Sequence, residues 1–366
     1  MDRPATRRDR LRTLLKKAGV PSLLITNFAN VTYLTGFTGD DSFLLITATD
    51  EILITDPRYT EQVQAECPGL EMAVRRPGVT IIEVVAKTIE STKLATLGIE
   101  GDSMTVSQRE GIAQKLRKVD LKTTKGMVES LRAIKDREEI AEIREAIRIA
   151  EKAYRQLRNS ARPDQTEKQF ADAMDHEMRS LGAKCASFPS IVAVGPNAAL
   201  PHARPTDKRI GEAGFFLLDW GASGRLYKSD LTRMVATGKI PPKLERVYRL
   251  VFKAQAAAIA AIRPGASCGD VDQRARGIIE EAGFGKNFGH GIGHGIGLAV
   301  HESPRMAKGL SEPLAAGMVV TVEPGVYLPG WGGVRIEDDV LVTRTGHEVL
   351  TTLPKEWDDV FVNGSP

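Results

Sequence analysis

The spacing of apolar residues changes character along the chain. In RRDRLRTLLKK (residues 7–17), Leu11, Leu14 and Leu15 stand at helical spacing, which predicts a surface helix with a charged face. Residues 20–60 read as short strands and turns: PSLLIT, then DDSFLLITATDEILITDPRY, with TATDE as a hairpin-type connection. Helix-like and strand-like pieces alternate to about residue 124. This predicts a small α/β domain over 1–124, followed by a linker over 125–135. Asp136 is a good helix N-cap with Glu139 three residues on, and Ile140, Ile143, Ile147, Ala150 and Tyr154 continue at three- and four-residue steps. A long amphipathic helix therefore opens a second domain over 136–366. Further helices are expected at 166–181, at 241–262 (ended by Pro264-Gly265) and at 269–282. From residue 214 strands and tight turns dominate: GFFLLDWGASGRLYKSDLTRMVATG, GMVVTVEPGVY and GVRIEDDVLVT. The second domain is thus expected to pack helices on a mostly antiparallel sheet, an α+β arrangement.

Composition narrows the function classes. A chain of 366 residues exceeds the usual size of a single hydrophobic core, in keeping with two domains. Basic and acidic side chains number 50 and 47, for a formal net charge of +3, which argues against nucleic acid or an anionic membrane as partner. No uncharged apolar run approaches the roughly 18 residues of a membrane span. The first twenty residues hold seven Lys or Arg and no apolar signal-peptide core. Cys67, Cys185 and Cys268 are widely spaced and odd in number, so neither a disulfide framework nor a zinc knuckle is expected. A cytoplasmic, reducing location follows as the expectation.

Carboxylates stand where strands should be apolar. GFFLLD ends in Asp219, and YKSDLTRMV holds Asp230. A hairpin turn centred on Gly224-Arg225 would set the two directly opposite, with Cβ atoms roughly 5 Å apart, where like charges destabilise the pair. Such a pair needs a proton or a cation between its members. In another register both would be solvated residues flanking a turn. Glu323 closes MVVTVE, and Glu337 lies within VRIEDDVLV. Asp338 and Asp339 beside it have ordinary surface explanations.

Three of the six histidines fall within FGHGIGHGIGLAVHESPR (residues 288–305), separated by four glycines. As a strand from residue 290, this segment would place His290 and His294 on one face and glycines on the other. Glycine in a strand marks close approach of a ligand or another backbone, and the bare face would leave room for a substrate. His301 would lie opposite His294, so the strand must twist or end if both serve one site. No GxGxxG match is present, which disfavours a dinucleotide loop.

The motifs DWGASGRLYKSDLTR, GHGIGHGIGLAVHESP, TVEPGVY and GVRIEDDVLVT, in this order, resemble the creatinase/aminopeptidase P/prolidase superfamily of M24 metallopeptidases. The resemblance runs from about residue 136 to the end. NVTYLTGFTGDDSFLLIT followed by LITDPRYTEQ is more weakly similar to the smaller N-terminal creatinase-type domain of these peptidases. It implies a C-terminal pita-bread catalytic domain. Carried over residue by residue, it implies that Asp219, Asp230, His294, Glu323 and Glu337 ligate two divalent ions, Mn, Co or Zn. Creatinase and the chaperone-like or binding-only relatives lack these ligands, whereas this chain retains all five, which favours an enzyme over a non-catalytic peptide-binding module.

The resemblance further implies hydrolysis of the Xaa-Pro bond at a peptide N-terminus, with the ions activating a water for attack on the scissile carbonyl. Glu323 would shuttle the proton. His202, in GPNAALPHARP, would act as a catalytic and binding residue near the leaving side of the substrate, His301 would hold the substrate and the tetrahedral intermediate, and His290 and Arg335 would support the site. Arg305, in HESPR, matches an arginine that holds the C-terminal carboxylate of a dipeptide. This favours an Xaa-Pro dipeptidase (prolidase) over an aminopeptidase P acting on longer peptides. Relatives are usually homodimers.

Overall fold

The computed structural model describes residues 3–362. Its contacts divide the chain into two units, Met1–Arg132 and Ala133–Pro366. In the first half of the chain the elements run α1 (Arg3–Lys17), β1 (Leu23–Ile25), α2 (Phe28–Thr35), β2 (Ser42–Ile46), β3 (Glu51–Thr55), α3 (Thr60–Glu66), β4 (Glu71–Val74), α4 (Ile81–Ser91), β5 (Thr96–Glu100), α5 (Val106–Lys115), β6 (Asp120–Thr124) and α6 (Met127–Ala133). The six strands form one sheet in the order β4-β3-β2-β1-β5-β6. β2 pairs antiparallel with β1 and β3, and the outer pairs are parallel. Leu24, Leu45, Ile54 and Ile99 from the sheet pack with Val85, Ile89 and Ile112 from α4 and α5.

Two expectations for this unit need correction. Residues 28–35 are helical, not part of a run of strands and turns. Asn27 caps the helix by accepting from the Asn30 N–H, and Gly36 closes it in the left-handed conformation (φ 84°). Nor is the basic face of α1 wholly solvated. Arg7 and Arg8 are buried and donate to the carbonyls of Tyr33 and Leu34. Those carbonyls belong to the last turn of α2, where no helical partner exists.

The second unit opens with α7 (Arg137–Leu157) and α8 (Glu167–Ser180), each started by a capping box: Asp136 with Glu139, and Thr166 with Gln169. Then come β7 (Cys185–Ala186), β8 (Ile191–Val194), β9 (Phe215–Trp220), β10 (Ala222–Ser223), β11 (Leu231–Ala236), α9 (Pro242–Ala261) and α10 (Cys268–Glu281). The chain ends with β12 (Gly293–Gly295), β13 (Glu302–Met306), β14 (Val319–Val322), β15 (Gly325–Leu328), β16 (Gly332–Arg335), β17 (Asp338–Val342) and β18 (His347–Val349). A three-stranded sheet, β11-β9-β8, and a five-stranded one, β13-β12-β14-β17-β18, are both antiparallel. A bridge between Thr232 and Glu337 joins them.

β9 has helices on both faces, which explains its unbroken apolar run. Phe216, Leu218 and Trp220 pack with α7 and α8, with Trp220 stacked on Tyr154 at 4.9 Å. Phe215 and Leu217 point the other way, into the core formed with α9 and α10. Side chains alternate along a strand, so Asp219 falls on the α9/α10 side, at the edge of that core. No helix among the described residues is long and apolar enough to cross a membrane.

Candidate active site

β9 and β11 pair with Asp219 opposite Thr232, not opposite Asp230. The turn is centred one residue later than expected. Gly224 N–H donates to the Tyr227 carbonyl, and Ser223 bridges to Lys228. The Tyr227 hydroxyl is held in turn by the buried Glu139 carboxylate at 2.6 Å. This shift moves Asp230 by two positions, so it remains on the same face as Asp219 and becomes its diagonal neighbour. Both acids are buried, at 7% and 5% exposure, and neither is a solvated turn residue.

The glycine-rich stretch is a strand only over Gly293–Gly295, with a register shift between His294 and Gly295. Because it ends there, His301 folds back, and its ring lies edge-on to that of His294 with centroids 4.3 Å apart. The glycines leave no open face for substrate. A Cβ would meet the Met306 carbonyl oxygen at 2.5 Å from Gly291, that of Thr321 at 2.0 Å from Gly293 and that of Ser303 at 2.2 Å from Gly295. They admit neighbouring backbone, the other meaning of glycine in a strand. α10 fixes the approach to β12. The buried Arg276 grips Asp272 at 2.7 and 2.9 Å and donates to the carbonyls of Phe288 and His290, while Asp272 accepts from the Ile292 N–H.

The β14–β17 ladder ends at the pair Val322–Asp338, and Glu323 and Glu337 each stand one residue beyond it. Oxygen and nitrogen atoms of Asp230, His294 and Glu337 lie within 4.8 Å of one another. His294 Nε2 is 3.4 Å from Glu323 Oε1 and 3.8 Å from Asp230 Oδ2. Its Nδ1 is 3.1 Å from the Gly295 carbonyl. A carbonyl only accepts, so the ring proton sits on Nδ1 and the Nε2 lone pair faces the acids.

Without a cation this arrangement is electrostatically costly. Burial, then repulsion from Glu323 and Asp219, holds the Glu337 carboxyl well above the usual range. Burial, then Glu337, does the same to Asp230. Burial raises Asp219 and pushes Glu323 up to about 8, and it drives the His294 imidazole down to about 4. Asp219 Oδ2 accepts from Arg335 Nη2, while its buried Oδ1 has no hydrogen-bond partner. An unpaired buried carboxylate oxygen, on an acid whose charge acts on Asp230, Glu323 and Glu337, fits a divalent ion.

The remaining predicted residues surround this cluster. His202 and Arg305 are exposed, and Arg305 pairs across the ladder with His294. His301 is exposed, and desolvation, then the neighbouring His202, lowers its imidazole. Arg335 is buried, and besides Asp219 it reaches Thr232 Oγ1, the Pro201 carbonyl and the Tyr327 hydroxyl. That hydroxyl lies 2.9 Å from His290 Nε2, while His290 Nδ1 meets the Gly291 carbonyl at 2.8 Å. The protons therefore order themselves as Arg335 to Tyr327 to His290.

Sequence reasoning missed Tyr327, Thr232 and Thr321. Thr232 Oγ1 donates to Glu337 at 2.6 Å, and Thr321 Oγ1 lies 3.3 Å from Glu323 and accepts from the His294 N–H. The readable signal was Thr232, a hydroxyl two residues from Asp230 on the same strand face. It also misjudged Asp338 and Asp339. Both are buried, Asp338 against Arg233, Lys355 and Thr351, and Asp339 beneath the Asp230 N–H. Their partners lie far off in the sequence.

Comparison with known proteins places this geometry in a family. The model of metallopeptidase family M24 matches residues 141–344, and that of the creatinase/prolidase N-terminal domain matches residues 7–134. The chain belongs to metallopeptidase family M24. This M24 metallopeptidase is 34% identical to the Xaa-Pro dipeptidase of Pyrococcus furiosus, over 95% of this chain and 99% of that protein. The Xaa-Pro dipeptidase structure from Bacillus anthracis is 39% identical, with a TM-score of 0.92 over 96% of this chain and 99% of the other. The X-Pro aminopeptidase structure from Thermotoga maritima is 36% identical, with a TM-score of 0.86 over 95% and 99% of the two chains. The creatinase-type domain followed by a pita-bread catalytic domain is therefore the architecture of this metallopeptidase, and its Asp230, His294 and Glu337 could hold a metal ion.

Proposed function

We propose that this metallopeptidase is a dinuclear Xaa-Pro dipeptidase (prolidase). The carrying observation is the buried acid cluster around the unpartnered Asp219 Oδ1. Four carboxylates share one guanidinium, that of Arg335, which leaves three formal negative charges. One dication falls short of that, so we assign two, held by Asp219, Asp230, His294, Glu323 and Glu337. Bound ions would lower the pKa of a water and polarise the scissile carbonyl.

The chain supplies the rest. Glu323 is the shallowest of the acids, with 18% of its side chain exposed, and we assign it the proton transfer from the attacking water to the proline nitrogen. That nitrogen belongs to a tertiary amide with no N–H, so the departing ring needs the proton. His202 and His301, at the exposed rim, hold the substrate carbonyl. Arg335 fixes Asp219 through Oδ2, and His290 is locked through Tyr327. The Arg305 guanidinium has no hydrogen-bond or ion-pair partner among the described residues, and the residue stands across the ladder from His294. Its fork suits the carboxylate of a dipeptide. The homodimer and the cytoplasmic location belong to the same reading. The similarity to the Thermotoga aminopeptidase favours a second one, in which longer peptides are cut and Arg305 lacks that role.

Hydrolysis of Ala-Pro beside Ala-Pro-Ala tests this, with manganese, cobalt or zinc added and a chelated control. Metal-dependent cleavage of the dipeptide, and at least tenfold weaker dipeptide KM in Arg305→Ala, is the expected result. Preference for the tripeptide would move the assignment to aminopeptidase P. Cleavage of neither by a metal-loaded chain would remove the Xaa-Pro specificity altogether.

A further inference from the structure

Gln255 lies on α9, fully buried (0% exposed), against the backbone just before Glu323 and Glu337. Its Nε2 is 3.1 Å from the Val322 carbonyl, 3.1 Å from the Ile336 carbonyl and 3.1 Å from Asp338 Oδ2. Its Oε1 accepts from Lys355 Nζ at 2.8 Å. Three acceptors around one atom and an ammonium at the other leave a single orientation for the amide. Val322 and Ile336 are the residues immediately before Glu323 and Glu337. The β14–β17 ladder makes its last pair at Val322–Asp338. The same two segments pair again from Gly325–Arg335, where β15 and β16 meet, so the ladder is interrupted only around Glu323 and Glu337, and in that gap the Gln255 amide ties both segments. Arg233 completes the clasp, donating to the Glu337 carbonyl at 2.6 Å and to Asp338 Oδ1 at 2.8 Å.

We propose that Gln255 is a positioning residue for the metal centre. By tying the Val322 and Ile336 carbonyls with one side chain, it sets the separation of the Glu323 and Glu337 carboxylates. Its effect on the ions is wholly indirect, because it touches neither carboxylate. The inference rests on the two-ion reading above.

The test uses the full chain stripped of metal, as wild type, Gln255→Met, Gln255→Asn and Val251→Ala. Met keeps the volume without the amide. Asn keeps the amide but withdraws it by one methylene. Val251, buried on the same helix, serves as a control for lost stability alone. Manganese is titrated by calorimetry, and the spin coupling between ions is read by electron paramagnetic resonance. The wild type should take two equivalents with a coupled spectrum. In Gln255→Met and Gln255→Asn the second equivalent should bind about tenfold more weakly or worse, and the coupled signal should give way to that of isolated ions. Val251→Ala should lower Tm and change neither readout. If Gln255→Met fails to fold, Gln255→Asn decides on the same criteria. A folded Gln255 variant with wild-type affinity and coupling overturns the positioning role alone, as does the same loss in Val251→Ala. A wild type that takes only one equivalent overturns the two-ion reading itself, and the positioning role with it.

Discussion

Asp219 gives Oδ2 to Arg335 and leaves Oδ1 buried without a hydrogen-bond partner. Such carboxylates were legible in the sequence because an acid at the end of an apolar strand contradicts its surroundings. Thr232, Tyr327 and Gln255 were not, because each residue type is ordinary in its strand or helix and its importance lies in partners from distant segments. The acids also make a prediction about pH. In the metal-free chain Glu323 has its carboxyl raised from 4.5 to about 8 by burial. The folded state then binds more protons than the unfolded one between those values. Stability is full below the unfolded value and is lost as pH rises through the folded one, by up to about 1.4 kcal/mol per pH unit for one group. Asp219, Asp230 and Glu337 shift in the same direction. Burial also drives His290 and His294 down to about 4, which makes stability rise with pH up to the ordinary imidazole value of 6.5, so the acids act unopposed only above it. Melting curves in chelator should show Tm falling from about pH 6.5 to about pH 8, and saturating metal should flatten that slope. A chelated protein whose Tm climbs across this window would contradict the electrostatic account.

At the scale of elements, helices were the most legible part. Capping residues and apolar spacing place the start of α7, and both ends of α8, α9 and α10, to within one residue. The hairpin register was not legible, because it hangs on the Tyr227–Glu139 contact between segments 88 residues apart. α2 was missed although Asn27 and Gly36 bracket it, since its apolar content suits strand as well as helix. α10 owes its place in the site to Asp272 and Arg276, both buried. Removing one member of such a pair leaves a buried charge alone. Asp272→Ala should therefore cost about 3–5 kcal/mol in urea unfolding and weaken metal uptake by loosening the approach to His294. A loss below about 1 kcal/mol would mean the pair behaves like a surface ion pair.

For the whole molecule, the sequence pattern separated an α/β N-terminal part from an α+β C-terminal part, and the six-stranded and antiparallel sheets bear this out. All five proposed ligands, with Arg335, His290 and Gln255, fall within Ala133–Pro366. A fragment beginning at Ala133 keeps the Asp136 capping box and should still take up metal with the stoichiometry of the full chain, measured by elemental analysis of the dialysed protein. A folded fragment that takes up none would show that the ligands need the N-terminal unit to assemble.

The packed glycines of β12 carry a consequence for genetics. Gly291, Gly293 and Gly295 each face a carbonyl oxygen closer than any real Cβ could stand. A saturation library across 290–301 should therefore show a comb of intolerance, with glycine positions rejecting even alanine as firmly as the histidines reject substitution. The two kinds of tooth arise differently. Histidine variants should yield abundant, inactive protein, and glycine variants should be depleted from the soluble fraction. Scoring activity alone would merge them and would draw a substrate pocket where there is only backbone.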